Sequence, residues 1–187
     1  MSLTPAWAPN LHPLAVHLPI ALLTAAAAVD LASLFMRARP SIRDTATWLY
    51  VGGAATAIIT YFTGDSAAKA MMLPADVAIL VDIHADWAFR TTWLFAFFAS
   101  ARLAISYILP PTLPVLVGAF LLALLGIGTL VETVAHGSQL VFQRGIGVHA
   151  VARDSGGQTG SRGPRSGTVT TLATAAPAEP DARAVHP

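Results

Sequence analysis

Four apolar stretches, at about residues 13–36, 45–62, 84–109 and 113–136, dominate this chain, and each is long enough to cross a bilayer as a helix. Backbone in hydrocarbon must satisfy every N–H and C=O internally, so stretches of this kind fold as helices. Only 11% of the 187 residues are charged and 55% are hydrophobic, whereas a soluble domain carries about a quarter charged residues. The expected fold is all-α: an integral membrane four-helix bundle over residues 1–151. An even number of spans puts both termini on the same side. Residues 152–187, rich in Ala, Pro, Gly, Ser, Thr and Arg, read as a flexible tail.

The charge that remains narrows the function. A net charge of +1 with no basic block argues against nucleic-acid binding. The chain has no cysteine, which excludes disulfides, iron–sulfur clusters, thiolate metal sites and covalent haem attachment. No Lys or Arg precedes Arg37, so the charged region of a cleavable signal is missing and the first span is expected to remain.

Punctuation along the chain is carried by proline, glycine and arginine. Pro13 suits a first helical turn and Pro19 predicts a kink just inside it. Arg37, Arg39 and Pro40 end the first span, Gly64-Asp65 closes the second, and Pro110-Pro111 stops the third. Ala75 to Ile83 is too short to span and reads as an interfacial helix or an extension of the third span. No internal repeat is evident.

Depth in the membrane organises the polar residues. With X the side holding the N-terminus, span one leaves X at His12 and His17, and span two returns near Asp65. Span three leaves X again at His84, and span four comes back at His136. Four histidines on three spans thus lie near one face, with Asp65, Asp82, Asp86 and Glu132 close in depth. Imidazole ligates metals and haem iron, and facing histidines in a helix bundle hold a b-type haem. Two of His17, His84 and His136 are the expected axial ligands. His12, placed outside the helix by Pro13, is a weaker candidate. Glu132 stands one turn from His136 and is placed to orient its imidazole, with Asp65 and Asp86 as further outer groups. The plainer alternative is that these histidines sit at the headgroup level, capping carbonyls or meeting water.

Toward the opposite face, Y, Asp30 lies inside span one and Arg102 inside span three. Buried charge in a membrane is costly unless paired, so an Asp30–Arg102 ion pair is expected, with separate snorkelling toward Y as the alternative. Arg37, Arg39 and Arg43 crowd the first Y loop, which makes Y cytoplasmic and puts X and the termini in the periplasm of a bacterial inner membrane.

Three pieces of sequence resemble a known family: His12-Pro13-Leu14-Ala15-Val16-His17-Leu18-Pro19-Ile20, then Gly64-Asp65, then Leu140-Val141-Phe142-Gln143-Arg144-Gly145-Ile146-Gly147-Val148. Together they are similar to the bacterial four-helix membrane proteins called domain of unknown function 2231, over roughly residues 10–150. The resemblance implies the helical membrane fold and little about function. The family pattern carries a histidine before the closing glycines where this chain has Arg144, which would leave His136 or His149 for any ligand role that histidine plays.

The leading expectation is a membrane electron-transfer subunit with one b-type haem near X, exchanging electrons between a quinone or a larger complex and a periplasmic cytochrome. A second is an accessory subunit of a respiratory or photosynthetic complex, bound to lipid and other membrane subunits without its own cofactor. A third is a divalent-metal site of histidine and carboxylate drawn from His84, Asp65, Asp86 and Glu132. No nucleotide or flavin motif supports catalysis by the chain alone.

Overall fold

The computed structural model describes residues 10–108 and 112–146. The expected tail, the Pro110-Pro111 stop, Gly147, His149 and His186 lie outside the described residues. Within them the chain is helical: α1 (His12–Ala15), α2 (His17–Phe35), α3 (Pro40–Lys69), α4 (Ala75–Ile108) and α5 (Leu113–Arg144). Helix α2 packs on α3, α3 on α4, α4 on α5, and α5 closes back on α2, which makes a four-helix bundle.

The elements begin and end for local reasons. Proline occupies the first or second position of α1, α3 and α5, where its missing N–H leaves no bond unmade. Gly145 ends α5 in the left-handed conformation, with φ +64°. Its N–H donates to the Val141 carbonyl, and that of Ile146 to the Leu140 carbonyl, a pattern that favours glycine at this position. The break between α1 and α2 at Val16 traces to Pro19, which cannot donate to the Ala15 carbonyl one turn earlier. The Thr60 hydroxyl of α3 donates to that carbonyl instead, at 3.3 Å.

Three stretches, His12–Phe35, Ala75–Ile108 and Leu113–Arg144, are long and apolar enough to cross a membrane. Helix α3 is not among them. Its 30 residues reach about 45 Å, but five threonines and charged residues in its end turns dilute its apolar character. It still exposes apolar side chains such as Trp48, Ile59 and Phe62 along its length. The structure also carries α3 past Gly64-Asp65 to Lys69, whose ammonium donates to Asp65 Oδ2 at 2.7 Å. Residues 75–83 are the first turns of α4 rather than a separate helix.

The core is built on contrast of size. Leu23, Tyr50, Phe95 and Phe98 are buried among Ala26, Ala54, Ala99 and Ala123. Tyr50 stands edge-on to Phe98 with ring centroids 4.9 Å apart, and stacks on Phe95 at 6.2 Å. Leu23 lies over Gly53 so closely that a Cβ there would come within 2.5 Å of it, and Phe95 lies over Gly126 in the same way, at 2.7 Å. Without a hydrophobic drive between helices in lipid, such close approach is what holds the bundle.

Candidate functional site

One end of the bundle gathers the start of α1, the end of α3, the first turns of α4 and the end of α5. His12 and His84 meet there with ring centroids 6.4 Å apart and planes at 69°. Both are half-buried.

Each ring is held by the helix beside it. His12 Nδ1 lies 3.1 Å from the Thr60 carbonyl of α3, and His84 Nδ1 lies 3.0 Å from the Thr133 carbonyl of α5. A carbonyl oxygen only accepts, so Nδ1 carries the proton in both rings and Nε2 keeps its lone pair. Each ring also lies close against a glycine one turn beyond that carbonyl. A Cβ at Gly64 would sit 2.8 Å from His12 Cε1, and one at Gly137 would sit 2.9 Å from His84 Cε1. The hydroxyls of Thr91 and Thr133, 2.8 Å apart, tie α4 to α5 just below. Two imidazoles with fixed tautomers and available Nε2 atoms are what a metal centre requires of its ligands.

The other expected residues are placed differently. His136 is half-buried beside the pair, its ring nearly parallel to Trp87 at 6.4 Å, with Glu132 4.0 Å from its Nε2. His17 is exposed at the start of α2, and none of the described hydrogen bonds or ring contacts involves it. Asp65 is engaged by Lys69, and Asp82 and Asp86 are exposed. Among the described residues, no three of His, Cys, Asp and Glu gather closely enough to hold a metal ion. A divalent-metal site of histidine and carboxylate therefore lacks a ligand set there.

Toward the far end, Arg102 grips Asp30 with both terminal nitrogens, Nη1 to Oδ2 at 2.9 Å and Nη2 to Oδ1 at 2.5 Å. Its Nε donates to the Thr47 hydroxyl at 3.1 Å. Both charges are buried, and the guanidinium lies 5.4 Å from the centre of the Tyr50 ring. The bidentate geometry and the bond to Thr47 give each guanidinium nitrogen a partner.

Residues 8–150 match the family described as predicted membrane protein, domain of unknown function 2231. The chain belongs to that family. It is a membrane protein with several apolar helices, in contact with lipid. No curated protein and no solved structure matches the chain significantly.

Pro13 does not leave His12 outside the helix: α1 begins at His12 and sets its ring beside His84. Sequence reasoning also missed Thr60, Gly64, Thr133 and Gly137. A usable signal was present: on both α3 and α5 a threonine is followed one turn later by a glycine, at the depth of a histidine on the neighbouring helix.

Proposed function

We propose that this chain is a membrane electron-transfer subunit in which His12 and His84 hold a b-type haem near face X. The observation that carries the reading is the facing pair of imidazoles, each with Nδ1 committed to a backbone carbonyl and Nε2 available. Their ring centres lie 6.4 Å apart, near enough that both could contribute a nitrogen to one metal ion. A haem held there would supply one-electron chemistry.

The protein's part follows from its own residues. His12 and His84 would hold the group through their Nε2 atoms. The Thr60 and Thr133 carbonyls hold the rings in one tautomer and increase their basicity, which bears on potential. His136, half-buried and stacked beside Trp87, would be left to meet a propionate or a quinone. The reading assigns the chain to a bacterial inner membrane with X periplasmic, exchanging electrons among a quinone, a larger complex and a periplasmic cytochrome.

The accessory reading has one observation in its favour. Gly118 and Gly128 of α5 open onto space with no atom of the described residues within 4 Å of a built Cβ, as a helix surface meant for another subunit would. A reduced-minus-oxidised spectrum of the protein purified in mild detergent from its native membrane, with a haem extraction assay, separates the two. A b-type spectrum near one haem per chain supports electron transfer. A colourless preparation eliminates it and leaves the accessory role.

A further inference from the structure

The two halves of the bundle carry the same residues at the same places. His12 precedes His84 by 72 residues, and Asp30 precedes Arg102 by the same 72. On the second helix of each half the offset is 73, and it pairs Ala46 with Ala119, Leu49 with Leu122, Gly53 with Gly126, Thr56 with Thr129, Thr60 with Thr133 and Gly64 with Gly137. These identities recur every three or four residues, so they form one stripe along α3 and along α5.

The contacts repeat as the residues do. His12 bonds the carbonyl of Thr60 and rests on Gly64, while His84 bonds the carbonyl of Thr133 and rests on Gly137. Leu23 covers Gly53, and Phe95, 72 residues on, covers Gly126. Packing obeys the same exchange: α2 against α3 becomes α4 against α5, and α3 against α4 becomes α5 against α2. A two-fold relation between the halves along the bundle would account for these repeats together. Two-helix halves keep the same orientation in a membrane, as parallel repeats do.

We infer that the bundle is a tandem duplication of one helical hairpin, and that His12–Thr60–Gly64 and His84–Thr133–Gly137 are two copies of one half-site facing each other across the seam. Such a pair would suit a ligand with two equivalent faces, a planar metal macrocycle that both histidines would hold; this last step rests on the haem reading above. It makes Thr60, Gly64, Thr133 and Gly137 positioning residues in two matched sets. The same operation explains Asp30 and Arg102. A residue at that position must meet its own counterpart across the seam, where two like charges would repel, so the copies are complementary.

Two measurements on the full chain test the inference, one of them independent of haem. With 15N-labelled histidine in lipid nanodiscs, His12 and His84 should both show the Nδ1–H tautomer. Gly64→Ala should shift only the His12 resonances and Gly137→Ala only those of His84. Gly128→Ala, where a Cβ meets open space, should shift neither. In titrations with hemin, Gly64→Ala and Gly137→Ala should each weaken binding by about 10–100-fold, by matching factors. Opposite tautomers in the two rings, or a loss confined to one glycine, would overturn the matched half-sites. Matched tautomers with no hemin binding would uphold the duplication and sink the haem reading.

Discussion

The two ends of the bundle each bring one residue from α4 to meet a residue from the first hairpin, yet they finish in opposite states. At the Y end Arg102 meets Asp30 through two hydrogen bonds and Thr47 through a third, so each of its nitrogens has a partner. At the X end His12 and His84 each spend one nitrogen on a backbone carbonyl and keep the other. A closed polar pair in a membrane fixes packing. A pair of imidazoles with unused nitrogens has capacity left for a ligand. The two ends thus differ in role because one pairs opposite charges and the other leaves two imidazole nitrogens without a partner.

The largest effect should come from breaking the closed end. Asp30→Ala leaves a buried guanidinium without its counter-charge and should cost about 3–5 kcal/mol, read as a drop in thermal unfolding temperature in detergent. The exchanged pair, Asp30→Arg with Arg102→Asp, should recover most of that loss. If Asp30→Ala unfolds at the wild-type temperature, the Y end is not holding the hairpins together.

At the open end the same kind of truncation should act on function more than on folding. His84→Ala removes one hydrogen bond and should lower stability by about 1 kcal/mol. His12→Ala should do the same, and each should abolish the b-type spectrum. A stability loss at His84 as large as that at Asp30 would erase the contrast between the two ends.

The smallest effect is expected at Tyr50. Its hydroxyl is buried with no hydrogen-bond partner, while its ring packs against Phe95, Phe98 and Arg102. Tyr50→Phe should be neutral or stabilising, by about 1 kcal/mol at most. A clear loss of stability would mean that the hydroxyl takes part in the polar group around Arg102.

Much of this architecture is legible in the chain because lipid leaves a helical backbone few alternatives. Pro40, Gly145 and the run from Leu113 mark helix ends by local chemistry alone, and the depth of His12, His84, Asp30 and Arg102 follows from rise per residue. The site was harder to read. His12 looked like a residue outside the helix, and His17 and His136 shared its depth, so depth could not choose among them. The duplication was hidden because its identities lie three and four apart along one stripe of each helix, diluted by neighbouring residues that are free to differ.

The sequence by itself determined an all-helical membrane protein with its histidines near one face, because length and hydropathy act locally along each helix. Only the tertiary structure decided that His12 rather than His17 faces His84. It also decided that two glycines make room for the rings and that two carbonyls leave Nε2 available. Those depend on how each helix is rotated about its axis, and that rotation is set by packing against neighbours such as Leu23 on Gly53 and Phe95 on Gly126.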